Sequence, residues 1–174
     1  RSASARSLGR GAPTCAPLRP VSVALHLPAT LPPARATPLH LPEPSLLALI
    51  ESGEGRTLEF KRGLQRPEKL ARTLSAFANT RGGILLIGVG DRGELLGAPH
   101  PPHTLRELSR IARTLITPPL QVELSLAHAE SKPIVVCSVP LSPARPHKIT
   151  TDDAPPAIYL RAGSSNRIAT PKAL

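Results

Sequence analysis

The spacing of apolar residues predicts three helices, and the first of them begins at Ser45. Residues 45–53 predict a short helix with Ser45 as N-cap and Gly53 after its end. Residues 67–79 carry apolar side chains at positions i, i+4 and i+7, which form one apolar stripe on a helix. Residues 105–115 repeat this spacing before two consecutive prolines. We therefore expect two main helices and one short one.

Strand patterns lie between and after these helices. Residues 57–61 alternate with period two, which places Leu58 and Phe60 on the core face and Glu59 and Lys61 on the polar face. Residues 84–89 form a continuous apolar run, typical of a central strand, and a hairpin turn follows at 91–93. Residues 121–129, 133–139 and 157–161 predict three more strands, the last ending in a loop at 163–167. The pattern predicts an α/β (α+β) fold with a single mixed β-sheet packed by two main helices.

The chain divides into a leader, one domain and a short tail. Residues 1–44 contain nine prolines and five arginines with one acid, a composition that predicts a disordered leader; an organellar transit peptide is the alternative. Residues 45–170 are long enough for one independent core, and residues 171–174 form the tail. The sequence has no apolar run long enough for a membrane-spanning helix. Its two distant cysteines favour a cytoplasmic protein, with Cys137 as a core residue.

Charge points to a polyanionic partner. The chain has 22 Lys and Arg against 12 Asp and Glu, a formal net charge of +10. Such a surplus favours nucleic acid, because phosphate contacts release counterions. The candidate phosphate-binding residues are Arg56, Lys61, Arg62, Arg81, Arg92, Arg145, Lys148, Arg161 and Arg167. The alternative for each of them is an ordinary solubilising charge.

Three carboxylates are candidates for chemistry. Glu54 precedes the first predicted strand, Glu59 lies on its polar face, and Asp91 follows the central strand. If these two strands are neighbours, the three carboxylates converge at one end of the sheet and can bind a divalent metal ion, with Lys61 on a phosphate. The alternative is a solvated ion pair between Glu59 and Lys61 and a turn that simply requires Asp91.

Four motifs in a fixed order resemble the Schlafen-type AlbA-like domain. They are Glu54 with Thr57-Leu58-Glu59-Phe60-Lys61, then Ser75-Ala76-Phe77-Ala78-Asn79-Thr80-Arg81-Gly82-Gly83, then Ile87-Gly88-Val89-Gly90-Asp91, and last Tyr159-Leu160-Arg161-Ala162-Gly163-Ser164-Ser165. The resemblance covers about residues 45–170. It implies an α/β domain with a DNA-binding role, common in bacterial and archaeal regulator-like proteins. A homodimer is possible, since AlbA-like folds often pair.

The same resemblance implies a second activity. In animal Schlafen proteins a related domain cleaves structured RNA such as tRNA with three carboxylates, which match Glu54, Glu59 and Asp91. Those proteins use a duplicated arrangement, whereas this chain has room for one copy.

Two main hypotheses therefore stand, with a third beside them. The first is a nucleic-acid-binding module that docks on the phosphates of DNA or structured RNA, needs no cofactor and belongs to a larger regulator of transcription. The second is an endoribonuclease that requires Mg²⁺ or Mn²⁺, held by Glu54, Glu59 and Asp91. The third is a protein-interaction domain whose basic charge is incidental.

Overall fold

The computed structural model describes residues 41–151 and 154–170, and these residues form three helices and eight strands. In chain order the elements are α1 (Glu43–Glu51), β1 (Leu58–Lys61), α2 (Pro67–Thr80), β2 (Gly83–Ile87), α3 (Pro101–Thr114), β3 (Ile116–Thr117), β4 (Glu123–Ala129), β5 (Lys132–Val139), β6 (Lys148–Thr151), β7 (Ala154–Ala162) and β8 (Ser165–Ile168). Residues 1–40 of the predicted leader and the predicted tail, 171–174, lie outside the described residues.

The first sheet has the strand order β1-β2-β5-β4 and is mixed. β1 pairs with β2 in parallel, and the other two pairings are antiparallel. Leu85 and Cys137 lie in the core cluster that includes the apolar faces of α2 and α3. Phe60, Leu86 and Val136 lie in the cluster on the other face, with α1. Both faces are therefore covered, which explains the continuous apolar run of β2.

A second sheet of strand order β3-β6-β7-β8 is where the structure departs from the single predicted sheet. α2 contacts both sheets. The reason lies in α2 itself, whose residues 70, 71 and 73–78 are all buried. Only three of these positions form the large apolar stripe visible in the sequence. Its Ala and Ser residues bury a second side that a stripe of large residues does not indicate. The α/β class is confirmed, and the prediction of one sheet is wrong.

Element boundaries differ from the predicted ones in several places. α1 begins at Glu43 and not after a Ser45 cap, because Pro44 fits the first turn of a helix without losing a hydrogen bond. Residues 148–151, for which the sequence predicts no strand, form β6, and the predicted loop at 163–167 is a hairpin that turns into strand β8. None of the helices in the described part of the chain is long and apolar enough to cross a membrane.

Candidate functional site

Glu59 is buried at the edge of the first sheet, with 7% of its surface exposed. Its neighbour in the parallel pairing is Leu85, so its side chain lies on the sheet face that packs against α2. One carboxylate oxygen, Oε1, accepts a hydrogen bond from Lys61 Nζ at 2.6 Å. The other, Oε2, accepts a hydrogen bond from Arg161 Nη2. The alternative of a solvated surface pair is therefore wrong, because two cations hold this carboxylate inside the protein.

Arg161 is the centre of a hydrogen-bond network that joins β7 and β8 to the start of β1. Its side chain has no exposed surface. Nε and Nη2 donate to the carbonyl oxygen of Gly55 at 3.1 and 2.8 Å, and Nη1 donates to Asn166 Oδ1 at 3.0 Å. The guanidinium group lies 5.0 Å from the centre of the Phe77 ring. The expectation that Arg161 contacts phosphate is thus corrected: every side of this group is used internally, and it ties the β7–β8 hairpin to the start of β1.

The motifs that resemble the Schlafen-type AlbA-like domain contribute mostly to this hydrogen-bonded framework. Asn79 Nδ2 donates to the carbonyl oxygens of His147 and Tyr159, at 3.0 Å each, and Asn79 Oδ1 accepts from the amide of His147 at 2.7 Å. Thr80 Oγ1 accepts from the amide of Arg161 at 2.9 Å. These contacts hold the end of α2 against the second sheet. The motif that contains Asn79 and Thr80 therefore has a structural role here, because it packs α2 against the second sheet.

Glu54 lies close to the Glu59–Lys61 pair. Glu54 Oε1 accepts a hydrogen bond from the amide of Phe60 at 2.7 Å and lies 4.0 Å from Lys61 Nζ. Lys61 Nζ also donates to the carbonyl oxygen of Phe60 at 2.7 Å. The structure therefore brings Glu54, Glu59 and Lys61 together, as the sequence predicts.

Asp91 is exposed in the turn after β2, where Gly93 N donates to Gly90 O at 2.9 Å. In the same turn Glu94 accepts a hydrogen bond from the amide of Arg92 at 3.0 Å. Hydrogen bonds from the backbone amides of Glu94 and Arg92 hold the pKa of the Glu94 carboxyl below its ordinary value.

The fit of a divalent metal can be judged from these contacts. Both oxygens of Glu59 are engaged by side-chain cations, and Glu54 is engaged by a backbone amide. Within residues 41–151 and 154–170, no group of three His, Cys, Asp or Glu side chains is arranged to hold a metal ion. The residues as arranged here do not fit a three-carboxylate site for Mg²⁺ or Mn²⁺, and that site stays a prediction from the resemblance.

A cleft of about 370 Å³ opens beside this carboxylate, between β1, α2 and β8. Its lining is polar and carries three cations against one acid. The lining residues are Glu59, Lys61, Gln65, Lys69, Arg72, Thr73, Ser165 and Asn166. Of these, only Lys61 is among the predicted phosphate-binding residues. Lys69 and Arg72 are not among them, because the cleft that they line is closed by β8, which the sequence does not predict.

The remaining predicted phosphate-binding residues lie on the surface. Seven of the nine have exposed side chains, and none of the seven forms an ion pair within the described residues. They are Arg56, Arg62, Arg81, Arg92, Arg145, Lys148 and Arg167. Lys61 is half-buried and Arg161 is buried. The chain's three aromatic residues are withdrawn from the surface, since Phe60 and Phe77 are buried and Tyr159 packs half-buried against the core.

Comparison with known proteins gives a family and a fold. The family model described as Schlafen, AlbA_2 matches residues 54–170, more than half of the chain. No curated protein matches the chain significantly. A similar solved structure is the N-terminal domain of an ATP-dependent DNA helicase RecG-related protein from Nitrosomonas europaea, with 26% identity and a TM-score of 0.55; the match covers 74% of this chain and 93% of that one.

A second solved structure is the DIP2311 protein from Corynebacterium diphtheriae, with 23% identity and a TM-score of 0.52. That match covers 72% of this chain but 25% of the other, so this chain spans about a quarter of that protein's length. At this identity the likeness shows the fold alone. Both structures are similar to the α/β domain described above.

Proposed function

Because the chain belongs to the Schlafen AlbA_2 family, we propose that it is a nucleic-acid-binding module of the DNA-binding type, which docks on phosphates through basic side chains. The observation that carries this proposal is that seven of the nine predicted phosphate-binding side chains are exposed and form no ion pair within the described residues. Side chains of this kind suit phosphate contacts, which position a protein on nucleic acid without reading its sequence.

The aromatic residues narrow the type of nucleic acid. Binding of single strands without sequence preference usually uses exposed aromatic side chains on which bases stack. Here Phe60 and Phe77 are buried and Tyr159 is half-buried, so no such platform is available. A duplex offers two phosphate backbones and needs no stacking. We therefore take double-stranded DNA as the first ligand to test and structured RNA as the second.

The similar structures support a role as one part of a larger protein. The match to the RecG-related protein covers nearly all of an isolated N-terminal domain, and the protein it comes from is described as DNA helicase-related. This match agrees with a domain that precedes other modules of the same protein and holds DNA for them. The homodimer, the role in transcription regulation and the cytoplasmic location stay predictions from the resemblance and the composition.

The test is fluorescence anisotropy with a short labelled DNA duplex at increasing salt concentration. Since log K falls with log salt by about 0.9 per neutralised phosphate, we expect affinity to fall at least about tenfold between low and moderate salt. Poly-glutamate serves as the control polyanion and should compete only weakly. Affinity that stays constant with salt, or equal binding of poly-glutamate, would contradict nucleic-acid binding through phosphates and favour the protein-interaction hypothesis.

A further inference from the structure

The cleft between β1, α2 and β8 carries a row of cations that the strand motifs do not include. Lys69 and Arg72 are three residues apart on α2, so their side chains project from the same side of the helix into the cleft. Both are exposed, and neither forms an ion pair among the described residues. Gln65 and Ser165 add polar hydrogen-bonding groups to the walls.

The first of these cations occupies an electrostatically unfavourable part of the helix. α2 begins at Pro67, so Lys69 lies in its first turn, and another cation, Arg66, is its N-cap residue. Positive charges near a helix N-terminus oppose the helix dipole, and Glu68 is the only acid in the first turn. Residues that violate a local rule in this way are expected at functional sites, where a ligand compensates for them.

The walls of the cleft hold these groups in defined positions. The guanidinium of Arg72 lies 5.4 Å from the centre of the Tyr159 ring, and stacking of this kind leaves the N–H groups at its edge free to donate. Asn166 Nδ2 donates to Thr73 Oγ1 at 2.9 Å, which joins β8 to α2. The charge of Glu59 is offset by Lys61 and Arg161, so it opposes an incoming anion little.

We propose that this cleft seats a phosphate group of the nucleic-acid backbone, with Lys69 and Arg72 as its ligands. The proposal rests on the proposed function and deepens it by naming the site. Arg72 offers two parallel N–H donors to phosphate oxygens, Lys69 offers a point charge, and Gln65 and Ser165 complete the hydrogen bonds. The seven exposed residues named among the predicted phosphate-binding set then contact neighbouring phosphates.

The test compares two charge-matched double variants by anisotropy on the same DNA duplex. One is Lys69→Ala with Arg72→Ala, in the cleft. The control is Arg106→Ala with Arg113→Ala, which removes two exposed charges from α3 outside the cleft. Circular dichroism confirms that each variant is folded. We expect the cleft variant to bind about tenfold more weakly and to lower the slope of log K against log salt by about 1, since it loses phosphate contacts. The control should change affinity less than about threefold.

A second arm distinguishes backbone phosphate from the free ion. Chloride in the buffer is replaced by inorganic phosphate at constant ionic strength. If phosphate competes with the duplex for the wild-type protein but not for the cleft variant, the result supports the site. Equal losses of affinity in both double variants would overturn the cleft while leaving the proposed function in place. Absence of duplex binding by the wild-type protein would overturn both.

Discussion

Glu59 forms ion pairs with two cations at a position with little access to water. This burial determines how Glu59 contributes to the stability of the protein. A buried ion pair gains little over an apolar pair, because desolvation offsets the attraction. Removing one partner is different, since it leaves the opposite charge buried without compensation. Arg161, whose side chain has no exposed surface, would be that charge. Glu59 therefore acts mainly by keeping Arg161, and with it the β7–β8 hairpin, in place.

The Glu59→Gln substitution tests this structural role. We expect the free energy of unfolding to fall by about 3 kcal/mol, because the amide cannot neutralise Arg161. Urea denaturation followed by circular dichroism measures the change. Glu54→Gln is the matched control, since Glu54 has 26% of its side chain exposed and its amide replacement still accepts the hydrogen bond from Phe60. We expect a loss below about 1 kcal/mol there. Equal losses in the two variants would contradict the buried network.

Cys137 gives a second residue-level prediction, about reactivity. It is buried in β5, and burial raises the pKa of its thiol from 9.0 to about 12. Only the thiolate reacts with disulfide reagents, so at pH 8 the folded thiol should be almost inert. The measurement uses the Cys15→Ser variant with Ellman's reagent, before and after unfolding in urea. Rapid labelling of the folded protein would show that the thiol is accessible.

The same shift predicts a dependence of stability on pH. A folded-state pKa above the unfolded one means that the stabilising contribution is complete below about pH 9 and is lost as the pH rises toward 12. Above pH 9, the free energy of unfolding should fall by an amount that approaches about 1.4 kcal/mol per pH unit because of this group. Cys137→Ala is the control and should show a shallower slope. Parallel curves for the two proteins would contradict the shift.

At the scale of elements, the central feature is that α2 packs between two sheets. This requires a close turn from α2 into β2, at Gly82. Gly82 has φ of +76°, and a Cβ there would lie 2.7 Å from the carbonyl oxygen of Val139 and 3.0 Å from the amide of Leu141. Both contacts are backbone atoms, which cannot move aside without disturbing the end of β5. Glycine at this position is therefore required by conformation and by space together.

The Gly82→Ala substitution should cost at least about 3 kcal/mol of stability, from the left-handed backbone and the clash together. Gly163→Ala isolates the first contribution, because Gly163 has φ of +63° and no atom within 4 Å of the added Cβ. We expect that variant to lose about 1 kcal/mol. Urea denaturation of both variants measures the difference. If Gly163→Ala costs as much as Gly82→Ala, the close approach of α2 and β5 is not as described.

The elements that sequence predicts well are those with large apolar residues in a clear period. The stripe of Leu70, Leu74 and Phe77 gives α2 to within a residue, and the apolar run gives β2. β6 and β8 are not predicted from the sequence because they are short. In addition, β8 carries mostly exposed polar residues, and β6 follows a proline-rich loop. Both strands pair with β7, and the sheet that they form packs on α2, whose small buried residues have no distinctive pattern. The number of sheets therefore depends on tertiary packing and not on local period.

The candidate site shows the same division. Alternation along β1 puts Glu59 and Lys61 side by side, and Glu54 in the preceding loop lies close to them, as the sequence predicts. Arg161 meets Glu59 only because β7 packs across α2, a contact over 102 positions of sequence. Lys69 and Arg72 become lining residues only when β8 closes the cleft. Residue type and spacing predict which side chains can bind a phosphate or a metal, whereas the second sheet determines which of them line the cleft.

At the scale of the whole molecule, the charge surplus has a structural distribution. Part of the net charge of +10 belongs to residues 1–44, with five arginines and one acid. In the folded domain, Lys61 and Arg161 are used internally by Glu59, and the other cations proposed to bind phosphate lie at the surface or in the cleft. Binding of nucleic acid should therefore be localised on the domain and not spread evenly over its surface.

The most direct measurement is a titration of the isotope-labelled protein with an unlabelled DNA duplex at low salt, followed by amide NMR spectra. Localised phosphate binding predicts that the largest shifts fall on the cleft residues Gln65, Lys69, Arg72 and Ser165, with smaller shifts at the seven exposed basic residues outside the cleft. Spectra that do not change, or shifts concentrated on the α1 side around Leu47 and Ile50, would contradict it.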